Sequence, residues 1–142
     1  MSLTLESAQS IISDALAAGA ERGFKPLTVV VLDAGGHVIA AARQDGASNN
    51  RFEIAQGKAY GALALGMGSR AIMERAEQQA YFIAATTAAL GGRLIPVPGG
   101  VLVREHDGTL LGAVGITGDS SDNDETAATT AIEAAGLKAQ VA

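Results

Sequence analysis

The segment Thr28-Val29-Val30-Val31-Leu32 constrains this chain more than any other part of it. A β-branched run of this kind favours an extended backbone. The polar turn Asp33-Ala34-Gly35-Gly36 follows at once, and Val38 to Ala42 returns as a second extended stretch. Together they predict a hairpin with a glycine-dependent turn.

Helical periodicity surrounds that hairpin. Leu5, Ala8, Ile12, Ala15, Leu16 and Gly19 share one face over residues 4–22, with Thr4 placed to cap and Gly23 to terminate; Pro26 ends the connection. After Asn49, the pair Asn50 and Glu53 has capping-box spacing, and Phe52, Ala55, Ala59, Ala62 and Leu63 form the buried face expected of a second helix. Gly66-Met67-Gly68 breaks it. Ser69 is placed to cap an alanine-rich segment that runs to Leu90, too long and irregular for one straight helix, and Gly91-Gly92 stops it.

Leu94-Ile95-Pro96-Val97, the turn Pro98-Gly99-Gly100, Val101 to Glu105, the turn His106 to Thr109, and Leu110 to Thr117 imply two or three antiparallel strands. A last helix is expected from about Asp124 to Ala135, closed by Gly136. Hairpins separated by helices predict an α+β domain over residues 1–142, with helices packed on an antiparallel sheet rather than a doubly wound parallel one.

Composition narrows the function. A hydrophobic fraction of 48% against 18% charged fits a folded globule. The net charge of −5, with only 10 Lys and Arg dispersed along the chain and 4% aromatics, argues against nucleic acid as a partner. With no cysteine, disulfides, thiolate metal sites and cysteine nucleophiles are excluded. Met1-Ser2-Leu3-Thr4-Leu5-Glu6 has no basic segment leading into an apolar one, and no apolar stretch is long enough to span a bilayer, so the expected location is the cytoplasm, away from membranes.

Several residue groups suggest chemistry, each beside a plainer role. Gly66-Met67-Gly68-Ser69-Arg70-Ala71 fits the dinucleotide pattern, but the segment before it is more helical than extended, which favours a helix break. Asp119, Asp122, Asp124 and Glu125 offer carboxylates to a hard cation, yet they miss calcium-loop spacing and equally suit a helix N-terminus; no metal is expected. His37 and His106 lie at turns, with nothing to place them together. Lys58 sits between small residues, Ala55 and Ala62, on a face expected to pack; it is either a snorkelling lysine or one that reaches a ligand carboxylate or Asp45. Arg43 and Asp45 close the second strand, and the Pro98-Gly99-Gly100 turn exposes amide groups suited to an anion or simply to a tight turn.

Five segments in order resemble the GlcG/HbpS family. Val29 to Val38 resembles its V-V-D-x-G-G-x-L hairpin, Arg43-Gln44-Asp45-Gly46-Ala47 its R-x-D-G-A, and Ile54-Ala55-Gln56-Gly57-Lys58-Ala59 its I-A-x-x-K-A helix. Pro96 to Val101 and Leu111 to Asp119 resemble its P-x-x-G-G and G-A-I-G-V-S-G segments, with Thr117 in place of the usual serine. The resemblance implies a profilin-like fold, a five-stranded antiparallel sheet between helices, and a homo-oligomer. Family members include proteins encoded with glycolate oxidation, a haem-binding sensor component and the C-terminal domain of PduO. The resemblance therefore implies a small-molecule ligand, with haem or a corrinoid among the options, in an accessory role to a catabolic pathway. Matching family-motif positions makes Arg43, Asp45, Lys58, Gly99, Gly100 and Asp119 the candidate pocket residues. No histidine here matches a family haem ligand, and an export leader like that of the secreted haem-binding member is not expected from the Met1 to Glu6 segment.

Two further functions stay open at the level of sequence. In an enzyme acting on a small hydroxy acid, diol or aromatic metabolite, Lys58 would serve as base or electrophile with Asp45 or Asp119 as its partner. In an assembly protein, the alanine-rich helices would supply flat oligomer faces.

Overall fold

The computed structural model describes residues 2–142, in the order α1 (Leu5–Glu21), β1 (Thr28–Asp33), β2 (Val38–Arg43), α2 (Arg51–Leu65), α3 (Ser69–Gln78), α4 (Ala80–Ala89), β3 (Gly100–Arg104), β4 (Leu110–Thr117), α5 (Ser121–Ala134) and β5 (Lys138–Gln140). The strands form one open sheet in the order β2-β1-β4-β3-β5, with every neighbouring pair antiparallel. The fold is α+β, as the hairpins predict.

The unbroken apolar run of β1 has a direct cause. This strand lies second in the sheet, and Val29, Val30, Val31 and Leu32 are all fully buried. Val29 and Val31 face one core with Ala8, Ile11 and Ile12 of α1 and Ala128 and Ile132 of α5. Val30 and Leu32 face a second core with Ala55, Ala59 and Ala62 of α2. A strand covered on both faces has no solvent side, so polar alternation disappears. Each such side chain contributes about 1.5–3 kcal/mol by burial.

Alanines and glycines bring α2 close to the sheet. A Cβ on Gly115 of β4 would overlap the carbonyl oxygen of Ala55, so only glycine permits this contact. The far side of α2 is covered as well, by residues 94–99. Leu94 packs on Gly61, and the Ile95 amide donates to the Gly57 carbonyl at 3.2 Å. That segment is irregular chain and not a strand, with the Ile95 amide turned toward the helix.

Local sequence signals fare unevenly. Thr4 caps α1 in a reciprocal capping box with Ser7, yet Leu5 is exposed and Ile11 takes its place in the buried stripe. Asn50 makes no side-chain cap on α2, and Ser69 does not cap α3, because its hydroxyl is engaged with Gly100. The alanine-rich segment does break, at Gln79, into α3 and α4. The Gly66–Gly68 motif is a junction between two helices: Gly66 ends α2 in the left-handed region, and a Cβ on Gly68 would overlap the Val141 backbone. It cradles the protein's own C-terminal segment, not a pyrophosphate.

Candidate functional site

One end of the sheet carries a row of polar side chains. Thr28 opens β1, with Arg43 of β2 directly opposite on one side and Thr117 of β4 on the other. Residues paired across strands share a face, and β1 periodicity sets this row on the α2 face with Val30 and Leu32. Arg51, the first residue of α2, reaches over it. Its Nη1 donates to Thr117 Oγ1 at 2.9 Å and its Nε to Ser48 Oγ at 3.1 Å. Among the described residues no carboxylate forms an ion pair with Arg51. Thr28, only 1% exposed, has a hydroxyl with no hydrogen-bond partner.

Two depressions flank Pro26 beside this row. A cleft of about 210 Å³ is lined by Lys25, Gly46, Ser48, Arg51 and Gly118. On the other side of Pro26 lies an open depression of about 480 Å³, formed by Phe24, Arg43, Gln44 and Asp45 together with Ala20. Gln44 holds the intervening loop through its Oε1, which accepts from the Leu27 amide at 2.6 Å. Arg43 and Asp45 thus share one surface without pairing, and Lys25 and Arg43 also lack carboxylate partners among the described residues.

Lys58 belongs to a different, closed cluster. Its Nζ donates to Asp124 Oδ2 at 3.1 Å and to the Ile116 carbonyl at 2.9 Å, and the two side chains are 2% and 1% exposed. Burial pushes the lysine pKa down and the Asp124 pKa up, each opposed by the partner's charge. The carboxylate facing Lys58 is therefore Asp124, not Asp45 or Asp119. Gly99 and Gly100 pack on this lysine. A Cβ on Gly99 would lie 2.8 Å from Nζ, and one on Gly100 would overlap the Lys58 carbonyl oxygen. The Gly100 amide donates to Ser69 Oγ at 2.7 Å. The space beside Ala55 and Ala62 is occupied by the protein itself.

The acidic cluster is likewise divided among internal partners. Asp119 accepts from the amides of Lys25 and Ser120, both at 2.8 Å, and from Asn123 Nδ2 at 2.7 Å. These donors, Lys25 first, lower its pKa to about 2. Asp124 Oδ1 accepts from the Asp119 amide, while Asp122 and Glu125 bind the Arg70 guanidinium of α3. Ser120 caps α5. Among the described residues no group of three or more acidic or imidazole side chains is placed to hold a metal ion.

The two histidines lie at the opposite end of the sheet from Arg43 and Thr117. His37 follows the β1–β2 turn beside Asp33, and His106, in the β3–β4 turn, lies 3.0 Å from the Gly136 carbonyl. At about 3.3 Å per residue, β1 alone, from Thr28 to Asp33, separates the ends by about 17 Å.

Sequence reasoning missed Arg51, Thr28 and the role of Asp124. Arg51 did carry a signal: a cation in the first turn of a helix opposes the helix dipole and needs a tertiary reason to be there. Thr28 gave none, because an orphaned hydroxyl exists only once its neighbours are placed.

The comparisons with known proteins agree with this fold. A crystal structure of a PduOC:heme complex superposes with a TM-score of 0.85 at 25% identity, covering 96% of this chain and 97% of that one. The ORFY protein of Klebsiella pneumoniae superposes equally well at 24% identity, covering 94% and 90%. A double mutant of HbpS from Streptomyces reticuli gives 0.79 at 25% identity, covering 94% and 87%. No curated protein matches the sequence significantly. The family profile described as "Haem degrading protein HbpS-like" matches residues 3–133, and the chain belongs to that HbpS-like family.

Proposed function

We propose that this chain is a cytoplasmic haem-binding accessory protein that holds the tetrapyrrole by its carboxylates at the end of the sheet marked by Arg43, Thr28 and Thr117. The observation that carries this reading is the trio Lys25, Arg43 and Arg51. All three cations lack carboxylate partners among the described residues, and they flank the apolar surface of Phe24 and Pro26. Family membership and the PduOC:heme relative support haem as the ligand. A corrinoid finds no support in these relatives.

The residues fit one part of haem and not another. Guanidinium and ammonium groups beside an apolar rim suit propionates. An imidazole for the iron is not at hand at this end, since His37 and His106 follow turns at the other end of the sheet. The reading therefore assigns the carboxylate contacts and no iron ligand from the same chain. Lys58 is a supporting residue in it, because its ammonium is already satisfied by Asp124 and Ile116.

Self-association forms part of the same reading. Helix α4 carries no charge, and Tyr81, Ala84, Ala85, Ala88 and Ala89 form an exposed apolar stripe, with Tyr81 73% exposed. A second copy of this chain is the partner proposed for that stripe, and Tyr81→Glu should shift light-scattering mass toward the monomer.

Titration with haemin tests the binding reading. A saturable Soret shift is expected, weakened about tenfold or more when Arg43→Ala and Arg51→Gln are combined, since charge-assisted contacts contribute about 1.5–3 kcal/mol each. His37→Ala and His106→Ala should leave the shift in place. Absence of any saturable shift in the unmodified protein would refute the haem assignment.

A further inference from the structure

The structure assigns Asp119 a positioning role: it is the strut through which the buried Lys58–Asp124 pair sets the wall between the two depressions of the carboxylate site. Asp119 itself lines neither depression. Its two oxygens face different elements. Oδ1 accepts from the Ser120 amide at 2.8 Å and from Asn123 Nδ2 at 2.7 Å, which ties it to the start of α5. Oδ2 crosses to the segment before β1 and accepts from the Lys25 amide at 2.8 Å, the one acceptor that amide has among the described residues. A hydrogen bond to a carboxylate is about twice as strong as a neutral one.

The wall is Lys25-Pro26-Leu27. Pro26 has no N–H, so amides can hold this segment only at Lys25 and Leu27. Leu27 donates to Gln44 Oε1 at 2.6 Å, beside the larger depression, and Lys25 donates to Asp119, beside the cleft that Gly118 lines. Gly118 closes that side against Pro26. At φ 146°, a Cβ there would lie 2.1 Å from the Pro26 carbonyl oxygen and 3.0 Å from Leu27 Cα. Behind the strut, the Asp119 amide donates to Asp124 Oδ1 at 3.0 Å, and Asp124 Oδ2 accepts from Lys58 Nζ at 3.1 Å. An unbroken run of hydrogen bonds thus leads from the buried ammonium to the backbone that carries Lys25. Binding groups are most effective when a supporting layer of contacts fixes them, and this layer ends in a pair that joins α2 to α5. The effect on ligand rests on the carboxylate-site reading of Lys25, Arg43 and Arg51; the strut itself does not.

Amide hydrogen exchange in ligand-free protein and Soret titration test the strut on separate arms. Asp119→Ala should speed exchange of the Lys25 amide about tenfold or more, the factor that loss of one charge-assisted hydrogen bond brings. Lys58→Met combined with Asp124→Ala, which removes the pair without stranding a charge, should speed it severalfold with Asp119 intact. Ile83→Val, a change in the separate core of Ile72 and Leu94, should leave Lys25 unaffected and controls for general loosening. Asp119→Ala should also weaken haemin binding severalfold while leaving haemin dimethyl ester unaffected, a split that a merely destabilised fold does not produce. Lys25 exchange that ignores Asp119→Ala, or ignores removal of the pair, overturns the strut. Undiminished haemin binding in Asp119→Ala, or equal weakening of haemin and its ester, overturns its role in the site. If the unmodified protein gives no saturable Soret shift but Lys25 exchange responds as expected, the haem reading falls and the strut is upheld.

Discussion

Lys58 Nζ lies 3.1 Å from Asp124 Oδ2, and this fully buried ion pair joins α2 to α5 across the end of β4. Neither charge can reach water, so each is tolerated only through the other and through the Ile116 carbonyl and Asp119 amide that complete their hydrogen bonds. The lysine motif of α2 is thus explained by the packing of three elements.

Removing one member should be severe. Lys58→Met leaves Asp124 charged and alone, and is expected to cost about 3–5 kcal/mol in urea unfolding. Adding Asp124→Asn should recover about 1 kcal/mol or more, the coupling typical of contacting residues. Equal and additive losses in a double-mutant cycle would contradict the pairing.

The turn that covers the lysine should tolerate no side chain. Gly100→Ala places a methyl on the Lys58 carbonyl, a clash of main chain that no rotamer relieves, and should lower stability by about 3 kcal/mol. Gly91→Ala, at φ 65° with open space around it, should cost only the left-handed backbone penalty of about 1–2 kcal/mol. Chemical denaturation of the two variants separates packing from backbone strain.

Acid should loosen the loop before α5. The Asp119 carboxyl titrates at about 2 instead of 3.8, so the folded form binds its proton less readily than the unfolded chain. Its stabilisation is present in full above pH 3.8 and is lost as the pH falls through about 2. Carboxyl-detected NMR titration should show that low midpoint, and Asp119→Asn should flatten this part of the acid-unfolding curve.

Thr28→Val should behave unlike most core changes. In ligand-free protein it removes an unsatisfied hydroxyl at nearly constant shape, and a gain of about 1 kcal/mol is expected by equilibrium unfolding. A loss of similar size would mean that the hydroxyl has an internal partner.

The fold was largely legible because its signals are local. The Thr28–Leu32 run, the glycine turn after it and the helical spacing of Ala55, Ala59 and Ala62 each report on a few neighbouring residues. The strand β5 was missed for the converse reason. Only three residues long, it is extended because the edge of β3 offers it partners, with Val103 opposite Ala139.

The hairpin that opened the reading was set by sequence alone, since β-branched residues and a Gly-Gly turn favour that conformation wherever they stand. What the tertiary structure decided is which charges meet. Asp124 lies 66 residues from Lys58 and Asp45 only 13, yet the closing of α5 over the end of β4 buries the distant carboxylate against the lysine and leaves the near one on the surface with Arg43. Electrostatic pairing follows distance in space, and that distance is fixed only when the cores on both faces of the sheet have formed.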